Sequence, residues 1–116
     1  MLLEVVVEKP PDVEAVWLIS LAGELDFQSA PRFRQAIGNA TPPRGEDVVL
    51  DLSGLEFLDS SGLVSVIDLY AQLERVGAGF AVVSSSPKIR RMFNVTSVDR
   101  LMSVVDTREQ AMAGLA

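Results

Sequence analysis

Residues 48–63, Val-Val-Leu-Asp-Leu-Ser-Gly-Leu-Glu-Phe-Leu-Asp-Ser-Ser-Gly-Leu, constrain the fold more than any other part of the chain. An apolar run leads through a short turn into two adjacent serines. Beyond them Leu63, Val66, Ile67, Tyr70 and Leu73 recur at the spacing of one helix face. The pattern predicts a strand from Asp47 to Leu52, buried on both faces in a partly parallel sheet, and a returning helix from about Ser61 to Val76. Ser60 and Ser61 then sit at or beside the helix start, where unpaired N–H groups and partial positive charge can hold a phosphate that Asp59 would repel.

The rest of the chain follows from its punctuation. Glu4 to Glu8 reads as a Val-rich strand ended by Lys9-Pro10-Pro11-Asp12, and Ala15 to Leu21 as its hairpin partner, stopping at Ala22-Gly23. A first helix begins near Ser29 with Pro31 in its opening turn and a stripe of Phe33, Ala36, Ile37 and Ala40. The loop Thr41-Pro42-Pro43-Arg44-Gly45 ends it. Gly77-Ala78-Gly79 closes the second helix and Phe80 to Ser84 forms a short apolar strand. Ser86 caps a helix with Pro87 in its first turn and Ile89, Met92 and Phe93 inside. A last strand lies near Met102 to Val105, and Thr107-Arg108-Glu109-Gln110 has the form of a capping box for a terminal helix with Ala111, Met112 and Leu115. The order predicts a single α/β domain over residues 1–116. Its sheet is mixed and mostly parallel, with an N-terminal hairpin and about four helices. If the second and third strands run side by side, Asp26 and Ser60 share the rim at their carboxyl ends.

Composition excludes several chemistries. Cysteine and histidine are absent, which removes disulfides, thiolate chemistry, the usual zinc ligands and any imidazole base. A net charge of −6 disfavours nucleic acid and anionic membranes as partners. No apolar run reaches membrane-spanning length, and Met1-Leu2-Leu3-Glu4 has an acidic residue where a secretory signal carries positive charge. The expectation is therefore a cytoplasmic protein without direct membrane insertion. A serine hydrolase is excluded by Leu58, where the nucleophile elbow wants glycine, and by the missing histidine. Gly77-Ala78-Gly79 follows a helix and leads into a strand, the reverse of a phosphate-binding loop. Lys88, Arg90 and Arg91 read as a solvated helix face, and Asn94-Val95-Thr96 as an accidental sequon. A phosphoaspartate receiver is opposed by the two strands before any helix, by the lack of an acidic pair after the first strand, and by lysines only at Lys9 and Lys88.

Phe57-Leu58-Asp59-Ser60-Ser61-Gly62-Leu63 resembles the phosphorylation motif of the STAS family, in particular its small bacterial anti-sigma factor antagonists. Leu21-Ala22-Gly23-Glu24-Leu25-Asp26 is similar to that family's Gly-Glu-Leu-Asp turn, and Ser86-Pro87-Lys88-Ile89-Arg90-Arg91-Met92-Phe93 to its Ser-Pro helix opening. Three blocks in this order span nearly the whole chain. Val64, where many members carry glycine, and Ser97, where a Gly-Leu turn often stands, depart from the pattern. The resemblance implies a non-enzymatic regulator without a cofactor of its own. Unphosphorylated, it binds an anti-sigma factor that is also a serine protein kinase and so releases a sigma factor. Phosphorylation at Ser60, with Ser61 as the fallback acceptor, switches it off, and a serine phosphatase reverses the modification. The alternative within the family is a regulatory subunit of a membrane transporter or of a stress-signalling scaffold.

The candidate partner-binding residues are Asp26, Asp59, Ser61, Gly62, Val64 and Asp68. Each also has a plain structural reading. Ser60 or Ser61 can cap the helix, while Asp26 and Asp59 can be turn carboxylates, Asp59 alternatively orienting the serine hydroxyl. Gly62 can serve backbone freedom or close approach of a partner. Val64 and Asp68, four residues apart, are expected to share an exposed helix face.

Overall fold

A computed structural model describes residues 3–10, 15–39 and 46–115. It contains β1 (Glu4–Glu8), β2 (Val16–Leu25), α1 (Ala30–Asn39), β3 (Asp47–Leu58), α2 (Ser60–Arg75), β4 (Phe80–Val83), α3 (Pro87–Val95), β5 (Ser103–Val105) and α4 (Arg108–Leu115), with a 3-10 turn at Val98–Arg100. The strands form one five-stranded sheet in chain order, β1-β2-β3-β4-β5. β1 pairs antiparallel with β2, and every later pair is parallel. The predicted α/β architecture is thus observed. The expectations at Pro11-Asp12, Ala40 and 41–45 lie outside the described residues.

Val48, Val49 and Leu50 are all fully buried because β3 is covered on both sides. On one face Ile19, Leu21, Leu50 and Val82 pack under Phe33 of α1, Val66 of α2 and Phe93 of α3. On the other, Val16, Leu18, Val49, Ala81 and Val83 pack against Ala111 of α4. The helix ends follow local chemistry. The Ser86 hydroxyl caps α3 ahead of Pro87, and Thr107 and Gln110 cap α4 reciprocally, the Gln110 amide donating to Thr107 Oγ1 at 3.1 Å and the Thr107 amide to Gln110 Oε1 at 3.2 Å. α2 ends with Gly77 at φ +74°, while the Gly77 and Ala78 amides donate to Glu74 and Leu73, a glycine-terminated helix stop.

Two strands run further than expected. β2 continues through Ala22-Gly23 to Leu25, and β3 continues past Leu52 to Leu58. Ser20 pairs with Asp51 and Leu25 with Leu58, with register shifts between, so β3 accommodates two extra residues as bulges. Bulging changes the spacing of inward side chains from two to three, burying Leu52, Leu55 and Leu58 while Ser53, Gly54, Glu56 and Phe57 face outward. The two-residue alternation that identifies a strand is absent here, although the ladder continues. The first bulge is supported by Asp51, whose Oδ1 accepts from the Ser53 amide at 2.9 Å and hydroxyl at 2.6 Å, and whose Oδ2 accepts from Arg108 Nε at 2.5 Å. Gly54 lies so close to β2 that a Cβ there would stand 3.0 Å from the Ala22 Cβ.

Candidate functional site

The parallel pairing of Leu25 with Leu58 places the loop before α1 beside the start of α2. The two turns are joined through Asp59. Its amide donates to the Leu25 carbonyl at 3.3 Å. Its Oδ1 accepts from the Gly62 amide at 2.8 Å and its Oδ2 from the Phe27 amide at 3.1 Å. Asp59 is therefore the N-cap of α2, and the helix begins at Ser60, one residue before the expected start. This corrects the capping reading of Ser60 and Ser61, since the longer aspartate reaches the helix amide and a neighbouring loop together.

With the cap supplied by Asp59, the serines are relieved of that role. Ser60 is exposed and Ser61 half-buried, and among the described residues neither hydroxyl makes a hydrogen bond. Ser60 thus presents an uncommitted hydroxyl on the first turn of a sixteen-residue helix.

Asp26 is tied down by its own turn. Its Oδ1 accepts from the Gln28 and Ser29 amides at 3.0 Å each, while its amide donates to the Ser29 hydroxyl at 2.9 Å. That hydroxyl donates to the Glu24 carbonyl at 2.7 Å. The Ser29 amide, with the Ser29 hydroxyl and Gln28 amide, lowers the Asp26 carboxyl below its usual range against an opposing push from burial. Asp26 therefore shapes the loop before α1.

Gly62 is buried, and a Cβ there would lie 2.2 Å from the Leu25 carbonyl oxygen and 2.8 Å from Leu58 Cδ1. The close approach is to the chain's own β2, a packing reason for glycine that corrects the expectation of close approach by a partner. Val64 is 48% exposed, and Asp68 meets Arg34 of α1 at 3.5 Å, so both lie on the outer face of α2 as expected.

Two aromatics on this rim are not among the expected site residues. Phe27 follows Asp26 and is 76% exposed. Together with Pro31 of α1 and Ser61 and Val64 of α2 it lines an open cleft. Phe57, at the end of β3, lies 5.5 Å from the Lys88 ammonium at the start of α3. The available signal was a phenylalanine directly after a turn aspartate, outside any core-facing periodicity.

No helix among the described residues is long and apolar enough to cross a membrane. A model of the STAS domain matches residues 4–111. The chain is 30% identical over 101 residues, 86% of either length, to the Anti-sigma F factor antagonist of Paenibacillus polymyxa. It is 31% identical over 106 residues, 90% of this chain and 84% of the other, to the Anti-sigma-F factor antagonist RsfB of Mycobacterium tuberculosis. Its fold matches the crystal structure of an anti-sigma factor antagonist from Mycobacterium paratuberculosis with a TM-score of 0.86 and 31% identity, over 97% of this chain and 93% of that one. From the bulged β3 to the capped start of α2, these elements fall within the matched span, and the chain belongs to the STAS domain family.

Proposed function

We propose that the protein is an anti-sigma factor antagonist, binding in its unphosphorylated form an anti-sigma factor of the ATP-binding serine-kinase type and thereby releasing a sigma factor. The observation that carries this reading is Ser60, an exposed hydroxyl without a hydrogen bond among the described residues, on a helix turn already capped by Asp59. Relatives named anti-sigma factor antagonists support the general role.

In the proposed reaction the Ser60 oxygen attacks the γ-phosphorus of ATP. The bond to the β–γ bridging oxygen breaks, ADP leaves, and the hydroxyl proton passes to a base of the kinase. ATP and its metal belong to the kinase, and a separate serine phosphatase hydrolyses the phosphoserine. The protein is the substrate, working in the cytosol. A phosphoserine brings roughly 1.5 to 2 negative charges. Beside Asp59 it repels acidic partner groups and places a strongly hydrated group in the interface, while the helix N-terminus offsets part of the cost within the domain. Asp26, Asp59, Ser61, Val64 and Asp68 form or shape the partner-facing rim, and Gly62 lets the start of α2 pack against β2 beneath it.

The test incubates the protein with each purified anti-sigma serine kinase of the same genome and Mg-ATP, followed by peptide mapping and calorimetry in matched nucleotide. Modification at Ser60, its loss in Ser60→Ala with binding retained, and an affinity at least about tenfold weaker for the phosphorylated form, roughly 1.4 kcal/mol, are expected. Phosphate on Ser61 with Ser60 bare overturns the residue assignment. Equal affinity of the two forms overturns the antagonist mechanism. Co-purification with a transporter complex or a stress scaffold, without such a kinase, assigns the alternative role.

A further inference from the structure

We infer that Phe27 is an apolar anchor for the partner, and that the cleft it forms with Pro31 and Val64 receives an apolar side chain flanked by a carboxylate. This deepens the antagonist reading and rests on it. Phe27 is the most exposed of the large hydrophobic side chains in the described residues, at 76%. Exposed aromatics of this size concentrate at contact surfaces, where a rigid ring buries a large area at low entropic cost. Its position is held by the hydrogen bond from its amide to Asp59, the residue that caps the helix bearing Ser60 and Ser61. The backbone that carries the ring is therefore tied to the serine turn through the Asp59 carboxylate, which lowers the cost of ordering this loop on binding.

The chemistry of the cleft specifies the occupant. Ala30, Pro31, Val64 and the Phe27 ring provide apolar walls, Ser61 lies at one side, and Arg34 is the charged residue among those lining it. Arg34 reaches Asp68 at 3.5 Å with both side chains about half exposed, a contact too weak and solvated to saturate the guanidinium. A leucine- or phenylalanine-sized partner side chain fills the apolar part, and a carboxylate beside it engages Arg34. The same acidic group explains why a phosphate on Ser60, next to Ser61 in this wall, opposes docking.

Calorimetry with the purified anti-sigma serine kinases of the same genome, in ADP, tests the inference on the full chain. Phe27→Ala is expected to weaken binding at least tenfold and Phe27→Leu by much less. Arg34→Gln is expected to weaken it severalfold and to flatten its salt dependence. Val76→Ala, which removes another exposed apolar side chain away from the cleft, is expected to bind as wild type. Circular dichroism and thermal unfolding of each variant verify the fold. If wild type is bound and phosphorylated at Ser60 while folded Phe27→Ala binds within twofold of it, the anchor is overturned and the antagonist reading stands. If none of the kinases binds or modifies wild type, both are overturned.

Discussion

Asp59 and Phe27 sit 32 residues apart in the chain, yet the Asp59 carboxylate accepts the Phe27 amide at 3.1 Å while capping α2 with its other oxygen. One side chain thus couples the loop before α1 to the serine turn. Asp59→Ala is expected to lose about 1–2 kcal/mol of stability in urea denaturation, the range of a lost N-cap. Asp59→Asn retains one acceptor for Gly62 and loses the acceptor for Phe27. In that variant, hydrogen exchange of the Phe27 amide accelerates while that of Gly62 stays close to wild type. Equal acceleration at both amides would dissolve the proposed division between the two oxygens.

Gly62→Ala is expected to destabilise by at least about 2 kcal/mol, because its Cβ would meet the backbone oxygen of Leu25 at 2.2 Å and neither β2 nor α2 can yield cheaply. Gly38→Ala is the control, with nothing among the described residues within 4 Å of its Cβ and a helical position that favours alanine. Chemical denaturation of the pair separates the steric effect from the propensity effect.

Acid stability is set partly by Asp26 and Asp51. At Asp51 burial pushes the carboxyl up, but hydrogen bonds from Ser53 and Arg108 together outweigh it, leaving the pKa below its ordinary 3.8. At Asp26 the Ser29 amide leads the lowering. A folded pKa below the unfolded one contributes stability that is full above the unfolded value and is lost as pH falls through the folded value. Wild type is therefore expected to gain stability relative to Asp26→Asn as pH rises from below about 3 to above about 5, the window around an ordinary Asp pKa. Arg108→Ala removes the partner at 2.5 Å, so burial acts on Asp51 with less opposition, its pKa rises and acid unfolding starts at higher pH. At neutral pH the cost is about 1–2 kcal/mol, less than for a fully buried pair because the Arg108 side chain is 48% exposed. Carboxyl carbon NMR titration follows both residues; an unchanged Asp51 titration in Arg108→Ala refutes the coupling.

Ser97, the departure from the family's glycine turn, adopts φ +61°, a left-handed conformation. Ser97→Gly is expected to stabilise by about 0.5–1 kcal/mol, since relief of the Cβ clash exceeds the entropy that glycine adds to the unfolded chain. A lower melting temperature in Ser97→Gly would mean that the serine side chain supplies more than its backbone costs.

Local chemistry was enough to read the element order, the caps of α3 and α4 and most of the core from the sequence. Ser86-Pro87 and Thr107–Gln110 act on amides within three residues, and Val48-Val49-Leu50 announces burial on both faces by its unbroken apolarity. The exposed face bearing Val64 and Asp68 was legible for the same reason, because helical spacing is a local property.

Cross-strand register was not legible. The extension of β3 from Ser53 to Leu58 depends on two bulges against β2, on the Asp51 contacts with Ser53 and Arg108, and on the absence of a Cβ at Gly54 facing Ala22. Those bulges decide which residues turn inward and where the strand ends, and so bring Asp59 within reach of Phe27. Spacing along the chain alone places a serine turn at the opening of a helix, at the carboxyl end of a buried strand. That an aspartate caps this helix, that Gly62 serves packing and that Phe27 stands on the rim emerge from the folded arrangement, because each depends on partners in β2 and its loop rather than on neighbours along the chain.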